Sequence, residues 1–179
     1  MNGVATTSAH DQPDPRWSNF KGPVVGTGDH LYRRPITHED LAEVIARLDG
    51  IAPGAPPAIA EMLRVARALI VQSWWCYDFL TVSVVWSLMA VEAALRERLV
   101  KPEEPSPTFK PLVRLAKLGG LLGEEDGKTL EAGAKLRDGL VHARGQVALT
   151  LGIAVPLVKI SHELINRLYD ADPERPERR

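Results

Sequence analysis

Phe79-Leu80-Thr81-Val82-Ser83-Val84-Val85-Trp86-Ser87-Leu88-Met89-Ala90-Val91-Glu92-Ala93-Ala94-Leu95 decides the fold. Read at 100° per residue, the segment 79–100 is apolar almost all round, the pattern of a helix at the centre of a bundle rather than on its surface. A membrane span is the competing reading, but Asp78 and Glu92 leave an uncharged window of 13 residues between them. A spanning helix needs roughly 20. Ser83, Ser87, Ala90 and Ala94 form a small-residue stripe opposite Glu92. Such a stripe lets another helix approach closely, from the same chain or from a symmetry mate, with packing inside the chain preferred.

Amphipathic helices flank this centre. Thr37 is an N-cap candidate with Glu39 and Asp40 in the first turn, Leu41, Val44, Ile45 and Leu48 share a face, and Gly50 lies beyond the end. Pro56 and Pro57 open a second helix carrying Ile59, Met62, Leu63, Ala66, Leu69 and Ile70. It either runs on through Trp74 and Trp75 or gives way to a new start capped by Asp78. Lys101 to Pro107 is a proline-rich connector, and Phe109 to Leu118 a short helix closed by Gly119-Gly120. Another helix starts near Glu124, a short extended stretch is expected over Gln146 to Leu151, and Pro156 sits in the first turn of a last helix. The expectation is an all-α, up-and-down bundle of about five helices: an extended N-terminal arm over 1–35, the bundle over 36–171 and a charged tail over 172–179. Within the arm, Trp17, Phe20, Leu31 and Tyr32 are too apolar for a solvated tail, so part of it lies on the bundle or on a second subunit.

The helix after Glu124 carries Arg137-Asp138-Gly139-Leu140-Val141-His142. Leu130, Ala134, Arg137 and Val141 fall on one stripe, so Arg137 projects from an apolar face. Guanidinium does not shed its charge, and breaking a buried pair costs on the order of 3 to 5 kcal/mol. A carboxylate from another helix is therefore required. Glu92, which shares its face with Val85, Leu88, Met89 and Leu99, is the candidate. Asp138 and His142, four apart, lie on one face, where a carboxylate can orient an imidazole and favour its protonated form. The same residues, followed by Arg144 and Gly145, also describe an ordinary helix C-terminus.

Composition sets further bounds. The chain has 179 residues, 45% hydrophobic and 25% charged, enough for one domain with a real core. Cys76 is the single cysteine, which excludes an internal disulfide and suggests a reducing compartment. With no basic start or apolar run at Met1 to His10, a cytoplasmic protein is expected. A formal net charge of -1 gives no global attraction to nucleic acid. RNA affinity would have to come from local groups, the candidates being Lys110, Arg114 and Lys117, and Lys135 with Arg144.

Arg137, the polar Asp138 and then His142 after four intervening positions resemble the Rx4-6H motif of HEPN domains, helical bundles best known as metal-independent RNA-cutting modules of bacterial toxins and defence systems. The resemblance covers about residues 37 to 170, and Ser87 to Leu95 looks like the acidic, alanine-rich core helix often seen in that family. It implies a homodimer with a composite RNA site, no metal or other cofactor, His142 as acid/base at the RNA 2′-hydroxyl and Arg137 as holder of the charged phosphoryl group. Some HEPN toxins have a tyrosine two residues after the motif histidine, which an antitoxin modifies. Here that position is Arg144, so this switch is not available, although the setting leaves room for an antitoxin or defence partner protein. Several members keep the fold without cleavage, as nucleotide-binding or protein-interaction modules.

Other chemistries find little support. His10, His30, His38 and His162 form no zinc motif, and Gly26-Thr27-Gly28 lacks the lysine and helix start of a phosphate loop. Trp74, Trp75 and Trp86 read as core residues rather than base-stacking platforms.

Overall fold

The computed structural model describes residues 12–25, 32–48, 50–51, 53–101, 103, 105, 107–141 and 148–170. Among them six α-helices account for nearly all regular structure: α1 His38–Ala46, α2 Pro57–Gln72, α3 Phe79–Leu99, α4 Phe109–Leu118, α5 Glu124–Val141 and α6 Leu151–Asp170. A short 3-10 helix, Pro15–Asn19, and an antiparallel hairpin of β1, Lys21–Val25, with β2, Tyr32–Pro35, precede them. The protein is an all-α helical bundle.

α3 is its centre, packing on α2, α4, α5 and α6. By length and composition alone α3 passes for a membrane span, yet Leu80, Val84, Leu88, Val91 and Leu95 are all buried against other helices. The small-residue stripe is covered by α6: Ser83, Ser87, Ala90 and Ala94 are fully buried, and Ser161 Oγ of α6 donates to Ser87 Oγ at 3.3 Å. The hydroxyls of Ser83 and Ser87 also donate to carbonyls one turn back in their own helix, so no polar atom of the stripe is orphaned. This face is therefore an internal seam, not a free surface for a second copy.

The caps explain the element starts. Thr37 and Asp40 form a reciprocal capping box at the head of α1, and Arg34 of β2 grips the Asp40 carboxylate through both terminal nitrogens at 2.6 Å. α2 has proline in its first turn. It stops at Gln72, because the N-terminal segment takes the groups freed there. Trp17 Nε1 donates to the Ser73 carbonyl at 2.7 Å and Asp14 N–H to the Trp74 carbonyl at 2.8 Å, while Tyr77 N–H donates to Asp14 Oδ2 at 2.9 Å. Asp78, which caps α3 on one of the two sequence readings, makes no side-chain cap hydrogen bond, and its carboxylate instead accepts two from Arg16.

Four expectations change. The N-terminal arm is not simply extended: Trp17, 2% exposed, sits against Phe20, Trp74 and Tyr77, and the chain then turns back in a hairpin. Trp75 is not a core residue but 42% exposed, because it falls in the turn after α2 rather than on a helical face. The last helix begins at Leu151, five residues before Pro156, with the Thr150 carbonyl accepting from Ile153 and Ala154. Pro156 thus lies inside α6, where its missing N–H withdraws one bond from the first turns. Residues 148–150 precede α6 without regular structure, and 146–147 lie outside the described residues.

Candidate functional site

α5 packs on α3 and α4 and buries Leu130 and Ala134. Between them in the sequence, Gly133 allows an unusually close approach: a Cβ there would stand 2.9 Å from Leu88 Cδ2. One turn later Arg137 reaches α3 from this tight contact. Its Nη1 donates directly to Glu92 Oε2. The pair inferred from the helical projection is thus present, with side chains 18% and 14% exposed.

Glu92 is shared. Its other oxygen, Oε1, accepts from Arg96 Nη2 at 2.8 Å, one turn along the same helix. One carboxylate therefore orients two guanidinium groups, and at this spacing the acid N-terminal to the base is the favourable order. The outer edge of Arg137 meets Asp138, whose Oδ1 accepts from Nη2 at 3.1 Å and from Nε at 3.3 Å. Beneath the guanidinium lies the ring of buried Phe109, with its centroid 5.4 Å from Cζ, within cation-π range. These contacts pin Arg137 from three sides.

The cluster opens into a cleft of about 450 Å³ between α2, α3 and α5, lined by Met62, Met89, Glu92, Ala93, Arg96, Arg137 and Asp138. Met89, Glu92, Ala93 and Arg96 all come from α3, so apolar and charged groups alternate along that wall, with Met62 supplied by α2 and Arg137 and Asp138 by α5. Exposure is graded: Glu92 and Arg137 are largely covered, whereas the side chains of Arg96 and Asp138 are 41% and 61% exposed. The covered ion pair is thus flanked by two more exposed charges.

The other sequence-derived candidates stand apart. Lys110, Arg114 and Lys135 are exposed, and Lys117 is drawn to Glu124 at 3.0 Å; none of the four lines the cleft. His142 and Arg144 lie outside the described residues. Asp138, expected to orient His142, has Arg137 as its hydrogen-bond partner among the described residues. Among the described residues no group of three or more His, Cys, Asp or Glu side chains converges as a metal site. Of the remaining histidines, His162 is buried in α6 and His38 stands beside Trp75. Arg96, Met62 and Phe109 were not marked by sequence reasoning. The Glu92 to Arg96 spacing of four was the available signal for the first; the other two come from elements distant in sequence.

Comparison with protein-family models, with curated proteins and with solved structures returns no match for this chain.

Proposed function

We propose that the protein is a metal-independent endoribonuclease of HEPN type, cutting single-stranded RNA as a cytoplasmic homodimer in a toxin or phage-defence setting. The observation that carries the reading is the Glu92-held Arg137 guanidinium, aimed at an open cleft of a helical bundle from the helix that leads into His142. In this reading His142 takes the proton of the 2′-hydroxyl, whose oxygen attacks the adjacent phosphorus. The 5′-oxygen leaves and takes a proton from water, giving a 2′,3′-cyclic phosphate and a 5′-hydroxyl end, and the protonated His142 returns its proton to solvent. Arg137 supplies the fixed positive charge on which the phosphoryl oxygens gain negative character. The dimer rests on the composite site that the resemblance implies, because the serine and alanine stripe and Trp17 are both occupied within one chain.

A second reading, a non-catalytic bundle that binds a nucleotide, RNA or a partner protein, is favoured by one observation. Both carboxylates beside Arg137 already hold it, as in a purely structural ion pair. The experiment is cleavage of varied single-stranded RNAs in EDTA by the wild type and by His142→Ala. Metal-independent cutting lost in a well-folded variant supports the nuclease. Absence of cutting by the wild type, or cutting that persists in the variant, supports the non-catalytic bundle.

A further inference from the structure

We infer that the cleft is a subsite for one nucleotide unit, with Arg96 as a second phosphate-binding arginine beside Arg137 and with Met62, Met89 and Ala93 as the seat of the base. The identification of the unit as part of a strand rests on the ribonuclease reading; the subsite itself does not. Arg96 enters because Glu92 holds only part of its guanidinium: Nη2 gives Glu92 one hydrogen bond at 2.8 Å, and although Nε is buried, the terminal nitrogens carry further N–H donors. Donor capacity remains on a side chain whose head faces the cleft and is 41% exposed.

Arg137 is available in a different way. Its inner edge is locked on Glu92, whereas its outer edge meets, among the described residues, Asp138, a neighbour in sequence that is 61% exposed. An ion pair with a well-solvated partner contributes little, so a phosphate bridging Arg96 and Arg137 can displace the exposed Asp138 carboxylate. It gains charge-assisted bonds from two oriented forks. The apolar part of the lining, Met62 of α2 with Met89 and Ala93 of α3, explains why the ligand is more than a phosphate. Methionine side chains are polarizable and adapt to flat aromatic faces, with the sulfur favouring contacts to rings. Inorganic phosphate would leave Met62, Met89 and Ala93 in water. A cleft of about 450 Å³ falls within the range of small-molecule sites, roughly 300 to 1,000 Å³.

The test is direct binding by calorimetry, in EDTA and low salt, of adenosine 5′-monophosphate, adenosine, inorganic phosphate and an all-deoxy adenine pentanucleotide, which lacks the 2′-hydroxyl and is not cut. The monophosphate is expected to bind at least threefold tighter than adenosine or phosphate, and the pentanucleotide tighter still. Arg96→Gln should weaken the monophosphate about tenfold and Met62→Gln about threefold, with thermal unfolding near wild type because Glu92 keeps Arg137. Asp138→Asn should tighten it, since a competing negative charge is gone. A monophosphate that binds as tightly as the strand keeps the subsite and makes its ligand a free nucleotide. Equal binding of monophosphate and phosphate, or no loss in Arg96→Gln and Met62→Gln, overturns it. These outcomes are independent of cleavage. RNA cutting with no effect of the two variants on binding removes the subsite and leaves the nuclease, whereas the expected binding losses without any cutting remove the nuclease and leave the subsite.

Discussion

Arg137 of α5 and Glu92 of α3 are 45 residues apart in the chain and are joined by a direct, largely covered ion pair that also anchors Arg96. Removing either partner leaves charge in a poorly solvated place. Glu92→Ala is expected to destabilise the fold by on the order of 3 kcal/mol, whereas Glu92→Met combined with Arg137→Leu should lose far less than the two single changes added together. Urea unfolding of the four proteins measures the coupling. Wild-type stability in Glu92→Ala would sink the assignment.

The contact that brings these residues together runs through Gly133. Leucine is a far better helix former than glycine, by about 1 kcal/mol, so Gly133→Leu should stabilise an isolated α5. In the protein it should instead lower the thermal midpoint, because the added side chain meets the fully packed Leu88 and overpacking costs typically 1 to 3 kcal/mol. A raised midpoint would show that α5 and α3 are not in close contact.

The N-terminal segment acts as a clamp on the turn between α2 and α3. Trp17→Ala removes a buried indole and its hydrogen bond to Ser73, and is expected to cost about 3 to 5 kcal/mol. Deleting residues 1–20 should be comparably severe. Truncation without loss of stability, read by thermal unfolding, would return this segment to the status of a loose arm.

Acid should release the same clamp. The Arg16 guanidinium hydrogen-bonded to Asp14 holds its carboxyl well below the usual carboxylate range, against the opposing effect of burial, with the Tyr77 N–H helping. Hydrogen bonds from Arg16 to Asp78 and from Arg34 to Asp40 lower those groups too. A depressed folded pKa means that the unfolded chain binds more protons at low pH. The stability these groups add is therefore full above the unfolded carboxylate value of about 4 and is lost as pH falls below it. The urea midpoint should be flat near neutrality and fall below about pH 4. Asp14→Asn should flatten that acid limb, and an unchanged limb would remove the clamp from the explanation.

Catalysis offers the sharpest contrast between neighbouring residues. On the nuclease reading, His142→Ala abolishes cleavage while helicity and dimeric mass by light scattering persist, and Asp138→Asn slows it less. If Asp138 screens Arg137 from the phosphate, the same variant should lower KM while kcat falls. A rise in KM for Asp138→Asn would contradict that arrangement.

The helices were legible in the sequence because periodicity and punctuation are local. Thr37, Pro57, the Gly119-Gly120 stop and the start at Glu124 each act on the few residues beside them, and each marks a boundary in the structure. The pairing of Arg137 with Glu92 was legible for a different reason. An arginine on an apolar face demands an acid, and only one acidic residue interrupts the central helix between Asp78 and Glu97. Tertiary structure alone decided the rest. Nothing local in Trp17 says that its indole will close the end of α2 at Ser73, because that bond depends on where a segment 56 residues away ends. Pro156 reads as a helix start by its own chemistry, yet α6 begins a turn earlier, where Leu149 is buried and its N–H donates to Thr81 of α3. Whether Ser83 and Ser87 faced a second copy or the same chain was likewise open until α6 was seen to cover them. A helical pattern specifies which face is buried, whereas the partner that buries it is chosen by the packing of the whole bundle.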